Sequence, residues 1–119
     1  RDISRGGVAG ILNEIADLSD KGIEIDELKI PVEDSVKGFC EMLGYDYLNF
    51  ACEGRCIIIT SSADAEKVLR VLKKHPYGKN SGIIGIIRLE HPREVVLNTA
   101  PGGRRLLKTP IGSQVPRIC

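Results

Sequence analysis

The chain has 119 residues and a mass of 13.0 kDa, which is the size of one ordinary domain. Its composition, with 42% hydrophobic and 28% charged residues, is that of a globular protein and excludes a disordered tail, and its longest apolar runs are far too short to cross a membrane. A net charge of +1 and only five aromatic side chains argue against nucleic-acid binding, so we expect neither nucleic acid nor a membrane among its partners.

The first helix and the first strand are predicted by the periods of their apolar residues. Apolar side chains recur at offsets 0, 3, 4, 7 and 8 from Val8, which places them on one face of a helix. This helix is expected to end in the polar, glycine-containing stretch of residues 19–22. Residues 22–27 then alternate between apolar and acidic side chains, which indicates a half-buried strand.

A second helix is predicted from Pro31 or Val32 to Gly44. Acidic residues fill its first turn, where they interact favourably with the helix dipole, and glycine is a typical residue just beyond a helix end. Four apolar residues share one face of this helix, at offsets 0, 3, 4 and 7: Val36, Phe39, Cys40 and Leu43. Cys40 on that face is expected in the core.

The middle of the chain predicts a strand followed by a third helix. Residues 56–60 form a continuous apolar run, which is typical of a buried central strand. Residues 61–64, Ser-Ser-Ala-Asp, have the pattern of a capping box and predict the start of the helix. The helix is expected to end at residues 75–78, which contain a proline and a glycine.

The last part of the chain predicts three strands. Two of them cover residues 81–90 and 94–99, and a short one covers residues 104–108. The resulting order, α-β-α-β-α-β-β-β, does not keep the strict alternation of βαβ units. It favours an α+β fold in which helices pack on one mixed β-sheet.

Charge is distributed unevenly along the chain. Residues 1–53 hold twelve acidic and five basic side chains, whereas residues 54–119 hold four acidic and twelve basic ones. Such an asymmetry can give a protein two faces with different partners. The interpretation that we favour is that the two halves attract each other within one fold.

The four cysteines are Cys40, Cys52, Cys56 and Cys119, and no two of them have the Cys-x-x-Cys spacing of a zinc or redox motif. They are too few for a disulfide scaffold, so a reducing, cytoplasmic setting fits best. Cys119 is the last residue. We expect residues 1–110 to form the domain and residues 111–119 to form a flexible tail.

A thiol at the end of such a tail reaches about 30 Å from its anchor when the tail is extended. Because the thiolate is the reactive form of cysteine, Cys119 is a candidate nucleophile or carrier. The alternative is an incidental cysteine on a frayed end.

Two glycines precede the first helix and form a candidate phosphate site. The N–H groups at a helix start and the close backbone approach that Gly6 and Gly7 permit suit a phosphate, and Arg5 adds positive charge nearby. Asp2 could hold a magnesium ion that bridges phosphates. The spacing is not that of a Walker loop, and a tight turn is the simpler alternative.

Glu53 is a candidate general base. It comes just before the predicted central strand of residues 56–60. The pKa of a carboxyl group next to the end of a buried strand can be raised, which suits a general base. The alternative is a turn residue paired with Arg55. Residues 102–105, Gly-Gly-Arg-Arg, could clamp an anion, although paired surface arginines are usually solvated.

Six segments carry a resemblance to a known family. Residues 1–9, together with residues 12–15 (Leu-Asn-Glu-Ile), resemble the start of the C-terminal domain in the aminoimidazole ribonucleotide synthetase (PurM-like) superfamily. Residues 49–54, 75–79, 99–105 and, above all, 116–119 (Pro-Arg-Ile-Cys) are similar to one branch of it, the hydrogenase maturation factors of the HypE, or carbamoyl dehydratase, family.

The resemblance covers all 119 residues but only the second domain of that family. Because the chain begins with Arg1 in mid-pattern, we expect it to be a piece of a longer protein whose N-terminal ATP-binding domain is absent from this sequence. The resemblance implies a PurM C-terminal domain-like fold and a full-length homodimer. We expect this piece alone to be inactive.

The resemblance also implies a specific chemistry. In the family, the terminal cysteine, here Cys119, receives a carbamoyl group from the carbamoyltransferase HypF, and ATP drives its dehydration to an S-cyanide. The cyanide then passes to iron on the HypC–HypD complex for a [NiFe]-hydrogenase. ATP and Mg²⁺ are the implied cofactors, mainly through the missing domain. By family match, Asp2, Gly6 and Gly7 would serve the phosphate site, with Asp2 as metal ligand, and Glu53 is the candidate base.

Two other functions remain open. One is a non-catalytic interaction domain in which the charged faces dock partners and Cys119 is incidental. The other is a different PurM-like ATP-dependent enzyme, such as a phosphate-transferring kinase. Such enzymes need no terminal cysteine, so the C-terminal residues 116–119 argue against a different PurM-like enzyme.

Overall fold

The fold is taken from a computed structural model, which describes residues 1–109 and 111–112. Within these residues the chain forms three α-helices, four strands and three short 3₁₀ turns. The helices and strands are α1 (Gly7–Ser19), β1 (Gly22–Asp26), α2 (Asp34–Leu43), α3 (Ala65–Lys74), β2 (Gly85–Arg88), β3 (Val95–Asn98) and β4 (Arg104–Leu106). The 3₁₀ turns are Glu27–Lys29, Tyr47–Asn49 and Pro76–Gly78. No helix in this part of the chain has the length and apolarity needed to span a membrane.

The four strands form one mixed sheet in the order β2-β1-β3-β4. The first strand pairs antiparallel with β2 and parallel with β3, and β4 pairs antiparallel with β3. Ile23 of β1 therefore lies between Ile87 on one side and Val95 on the other. The predicted α+β class with helices on a mixed sheet is confirmed.

The core lies between α1 and one face of the sheet. Ile23 and Ile25 of β1 are buried there, as are Val95 and Leu97 of β3, because alternate side chains of a strand point to the same face. The residues of α1 that join this cluster follow the predicted helical spacing: Val8, Ala9, Leu12 and Ala16. The predicted first helix and strand are thus confirmed.

Only part of the predicted face of α2 is buried. Cys40 is 1% exposed and Gly44 ends the helix in a left-handed conformation (φ 70°), so both predictions are confirmed. The other apolar residues of that face remain outside the core: Phe39 and Leu43 are 54% and 48% exposed, and Val36 is exposed too. The physical reason is that α2 packs mainly against the 3₁₀ turn Tyr47–Asn49 and makes less contact with any strand of the sheet.

The predicted central strand over residues 56–60 is wrong. Its pairing is limited to an isolated antiparallel bridge between Asp2 and Cys56, and Ile58 and Ile59 are each 51% exposed. The run is apolar enough to form a strand, but the described part of the chain offers it a backbone partner only at residues 1–3. The element order is therefore α-β-α-α-β-β-β.

The capping box of residues 61–64 forms one turn before the helix. The Ser61 hydroxyl accepts the Asp64 N–H at 3.2 Å and donates to the Asp64 carboxylate at 2.7 Å. The regular part of α3 begins only at Ala65. The predicted start is therefore displaced by one turn.

Ion pairs join the acidic first half of the chain to its basic second half. Arg93 contacts Asp20 at 2.8 Å and Arg105 contacts Asp46 at 2.7 Å. On the outer face of the sheet, Glu24 lies between two arginines: Arg88 at 3.4 Å and Arg104 at 4.0 Å. The charge asymmetry therefore reflects, at least in these pairs, attraction within one fold.

Because of Glu24, the free energy of unfolding should decrease as the pH falls into the acid range. A hydrogen bond from Asn98 (2.9 Å), aided by Arg104 and Arg88, lowers the pKa of Glu24 below its ordinary value of 4.5. Because the folded-state pKa is depressed, this stabilisation is present above the unfolded pKa and is lost as pH falls through the folded pKa.

We expect Glu24→Gln to cost about 1 kcal/mol of unfolding free energy at neutral pH and almost nothing once the pH lies below the folded-state pKa of Glu24. Urea unfolding at a series of pH values measures the difference. Glu90→Gln is the matched control, because that exposed carboxylate forms no ion pair among the described residues. A cost of Glu24→Gln that is independent of pH would contradict the assignment.

Candidate functional site at the start of the first helix

Two segments that lie about fifty residues apart in sequence meet at the start of α1. The Cys52 N–H donates to the Ile3 carbonyl at 2.8 Å, and the Ile3 N–H donates to the Arg55 carbonyl at 3.0 Å. These bonds flank Glu53 and hold it beside the segment that carries Asp2. The structure therefore brings together the two sequence segments that supply the predicted site residues.

Gly7 is required by this junction. It has φ +64°, and a Cβ atom at this position would lie 2.5 Å from the Leu48 carbonyl oxygen and 2.6 Å from that of Phe50. Any side chain would collide with backbone that is itself held in a 3₁₀ turn. Because Gly7 has no side chain, the backbone of residues 48–50 can pack directly against it. The sequence had instead suggested that this glycine allows a phosphate to approach closely.

Gly6 starts the helix without a side-chain cap. It is the N-cap residue of α1, in a left-handed conformation (φ 78°), and no side chain accepts a hydrogen bond from the first turn. The Gly7 N–H is bonded to the Ser4 carbonyl at 3.1 Å. An uncapped start of a 13-residue helix suits an anion, because N–H groups and the positive end of the helix dipole point to the same place.

Asp2 and Glu53 are both exposed at this junction. Asp2 belongs to the short bridge with Cys56, and Glu53 occupies a turn that Gly54 closes with φ 76°. Since residues 56–60 are not a buried strand, the reason given for Glu53 from the sequence is wrong. The backbone bonds of Cys52 and Arg55 to Ile3 place its turn beside the segment that leads into α1. Its alternative partner, Arg55, donates instead to the Pro31 carbonyl at 3.3 Å.

The cysteines differ in their surroundings. Cys40 is buried, Cys52 is half-buried with its sulfur 3.5 Å from the Phe50 carbonyl oxygen, and Cys56 is exposed; all three are free thiols. No group of three or more metal-ligating side chains occurs within residues 1–109 and 111–112. Cys119, the predicted acceptor, lies outside the described residues.

The two arginines of the Gly-Gly-Arg-Arg segment have separate acidic partners. Arg105 is bonded to Asp46, and Arg104 lies 4.0 Å from Glu24. They do not form one anion clamp.

Sequence reasoning missed two polar residues next to the junction. The side-chain oxygen of Asn49 is buried and has no hydrogen-bond partner among the described residues. Burial, aided by the nearby carboxylate of Glu27, raises the pKa of Tyr47 to about 12. The signal for Asn49 was its place at the head of the 49–54 motif, whereas nothing in the local pattern indicated the burial of Tyr47.

Comparison with known families agrees with this geometry. Residues 1–96 match the family described as "AIR synthase related protein, C-terminal domain". The chain belongs to this family. The match includes both segments of the junction at the start of α1, so the predicted superfamily is confirmed.

The similar proteins are hydrogenase maturation factors. Over all 119 residues, the chain is 44% identical to a putative hydrogenase expression/formation protein of Methanocaldococcus jannaschii and 41% identical to the carbamoyl dehydratase HypE of Escherichia coli. In both cases all of this chain is covered, but only 35% of the relative. The chain therefore spans about a third of the length of the curated relatives that it matches.

Solved structures of HypE proteins have the same fold. A HypE in complex with ATP superposes on the whole chain with a TM-score of 0.91 at 40% identity, covering 37% of that chain. A HypE–HypF complex contains a chain that matches 92% of this one with a TM-score of 0.87 at 43% identity, over 35% of its own length. The resemblance to HypE that the motifs predict is confirmed.

Proposed function

We propose that the chain is the C-terminal domain of a carbamoyl dehydratase that makes the cyanide ligand of [NiFe]-hydrogenases. The observation that carries the proposal is the junction before α1, where backbone hydrogen bonds hold the turn of Glu53 beside Ile3, next to Asp2 and in the segment that leads into a helix start without a side-chain cap. The identity of 41% to a carbamoyl dehydratase supports it, because the aligned region covers the whole chain and so includes both segments of the junction.

The proposed reaction has a carrier and a dehydration step. The thiolate of Cys119 accepts a carbamoyl group and becomes an S-carboxamide. Hydroxide and amide-type oxygens leave poorly, so ATP supplies a phosphoryl group that turns the carboxamide oxygen into a leaving group. As phosphate departs with that oxygen, the nitrogen loses its two protons and its electron pairs complete the C≡N triple bond. The products are the S-cyanide, ADP and phosphate.

The junction can contribute two functions to this reaction. Gly6 and Gly7 form the start of α1, whose first turn has no side-chain cap and whose positive dipole end would stabilise the charge of a phosphate. The exposed carboxylate of Asp2 would contribute an oxygen ligand to a Mg²⁺ ion carried on the phosphates, with its other ligands supplied from elsewhere. Glu53 would act as the general base that takes a proton from the carboxamide nitrogen.

The partners belong to the same proposal. A HypE–HypF complex is among the structural relatives, and we propose HypF as the carbamoyl donor and a HypC–HypD complex as the iron-bearing acceptor. We also propose a cytoplasmic homodimer in which residues 1–110 form this domain, residues 111–119 carry the acceptor thiol and an N-terminal domain supplies most of the ATP site. Three free thiols among the described residues support a reducing compartment.

Intact-mass measurement on the full-length protein tests the acceptor. The protein is incubated with its carbamoyltransferase, carbamoyl phosphate and ATP, beside the variants Cys119→Ala and Cys56→Ala. Cys56 is the matched control, because it is an exposed free thiol. We expect an adduct of one carbamoyl group that then loses one water in the native protein and in Cys56→Ala, and no adduct in Cys119→Ala.

An adduct that persists in Cys119→Ala would contradict the proposal. No adduct in any of the three proteins would do so as well, and it would favour a non-catalytic interaction domain. The exposed apolar residues of α2, among them Phe39 and Met42, would then be the first surface to examine.

A further inference from the structure

The side chain of Asn13 joins the first helix to the end of the last strand. Its amide nitrogen donates to the Ala9 carbonyl at 2.8 Å and to the Leu107 carbonyl, 94 residues further along the chain, at 2.7 Å. An asparagine amide has two N–H groups, so these bonds use both of them. Asparagine is a weaker helix former than alanine or leucine, and Asn13 is not among the buried residues of α1. The bond to Leu107 therefore gives this residue a role that the helical pattern does not explain.

Leu107 is the residue through which residues 108–119 are attached to the core. Its side chain is 2% exposed in the hydrophobic cluster, and its N–H donates to the Val95 carbonyl at 2.8 Å. Its carbonyl accepts from Asn13. Among the residues that the structure describes, no backbone group after Leu107 is hydrogen-bonded to another of them. Leu107 is thus held on three sides: by the core, by β3 and by α1.

The bond from Asn13 fixes a direction as well as a position. The Leu107 carbonyl and the Lys108 N–H belong to one planar peptide group. The core and β3 hold the side chain and the N–H of Leu107, but these contacts leave rotation about its Cα–C bond open. The bond from Asn13 to the carbonyl closes this rotation. The orientation of this peptide group then sets the direction in which the following residues begin.

The same helix carries the start of the candidate site. Asn13 lies six residues after Gly7, which is about 9 Å along the helix axis. The helix start and the attachment point of residues 108–119 are therefore both fixed relative to one rigid element. These twelve residues span about 40 Å when they are extended, so their starting direction changes the volume that the thiol of Cys119 can reach.

We propose that Asn13 is a positioning residue for the carrier segment, residues 108–119. It orients the peptide group after Leu107 and so directs Cys119 toward the junction that holds Glu53. This inference rests on the proposed function, in which Cys119 carries the carbamoyl group and the junction takes part in its dehydration. A fixed starting direction raises the effective concentration of the carbamoyl adduct at the site, because less of the segment's freedom must be lost on each visit.

Kinetics with ordered addition test the positioning role in the full-length protein. The protein is carbamoylated first, ATP is added afterwards, and intact mass follows the loss of water. We expect Asn13→Ala to accept the carbamoyl group at the native rate and to dehydrate it about 10-fold more slowly. Asn13→Ser should behave in the same way, because its hydroxyl can bond the Ala9 carbonyl but is too short to reach Leu107. Ile11→Val is the control for lost stability, because it removes a buried group from the same helix, and it should dehydrate the adduct at the native rate.

An insertion of three glycines between Lys108 and Thr109 separates positioning from stability. The glycines let the chain change direction just after the peptide group that Asn13 holds. In this background Asn13→Ala should slow dehydration no further, whereas an effect through stability would add to that of the insertion. Equal slowing by Asn13→Ala with and without the glycines would overturn the proposal. Dehydration by Asn13→Ala at the native rate would overturn it as well.

The order parameter of the Lys108 amide measures the orientation directly and without carbamoyl transfer. In the full-length protein labelled with ¹⁵N at lysine, we expect a value of about 0.85 for Lys108 in the native protein and in Ile11→Val, and a value below about 0.6 in Asn13→Ala. Equal values in the native protein and in Asn13→Ala would overturn the proposal. Absence of the adduct in the native protein would refute the proposed function, and the amide measurement would still decide whether Asn13 orients the segment.

Discussion

Replacing Gly7 by alanine should destabilise the domain by about 4 kcal/mol and abolish its contribution to catalysis. The added Cβ would lie 2.5 Å from the Leu48 carbonyl oxygen, on a residue whose φ of +64° already disfavours any side chain. The atoms that the Cβ would meet are backbone atoms, and the backbone fixes the position of the Cβ itself, so no side-chain rotation relieves the collision. Either the 3₁₀ turn Tyr47–Asn49 or the start of α1 must shift, and both hold the candidate site.

The measurement is equilibrium urea unfolding of the full-length protein, with dehydration of the carbamoyl adduct as the second readout. Gly44→Ala is the matched control, since Gly44 also has a positive φ (+70°) but has open space around its Cβ position. That change should cost only about 1 kcal/mol and leave the dehydration rate unchanged. Equal effects of the two substitutions would mean that backbone conformation alone, and not the contact with residues 48–50, explains the presence of Gly7.

Local sequence patterns predicted what depends on local contacts. The apolar period of α1, the stop at Gly44 and the burial of Cys40 follow from side-chain spacing along one helix and a residue suited to positive φ. These features need no knowledge of distant partners. The mixed sheet was also predictable, because its strands follow from apolar alternation and from the absence of a regular βαβ order.

Features that depend on distant contacts could not be derived in the same way. The run 56–60 has the composition of a buried strand, but a strand needs a backbone partner, and the described chain supplies one only at residues 1–3. Gly7 was read as space for a ligand, whereas residues 48–50 fill that space. A single sequence does not say which segment will approach a glycine.

The candidate site was found through two kinds of signal. The glycine pair before α1 is a local pattern, but the choice of Glu53 relied on a strand that does not form. Two backbone hydrogen bonds made by Ile3 nevertheless hold the turn of Glu53 beside the segment that leads into α1, and the local periodicity of the sequence does not predict these bonds. The resemblance to the family includes both segments. It therefore indicated that residues 1–9 and 49–54 belong to one site, which local periodicity could not.

Glu53→Gln should separate the two halves of the proposed reaction. Glutamine keeps the size and part of the hydrogen bonding of the side chain, but it cannot accept a proton at neutral pH. Transfer of the carbamoyl group to Cys119 needs no base at this position, so the adduct should form at its normal rate. The later loss of water should slow by about 100- to 10,000-fold, which is the usual contribution of a general base.

Intact mass against time, with ATP added after carbamoylation is complete, resolves the two steps. Glu66→Gln is the matched control, because Glu66 is an exposed acid in the first turn of α3, outside the junction. It should dehydrate the adduct at the native rate. Normal dehydration by Glu53→Gln would remove Glu53 from the proton transfer while leaving Cys119 as acceptor, whereas loss of the adduct itself would show that Glu53 acts on the docking of the carrier and not on the proton.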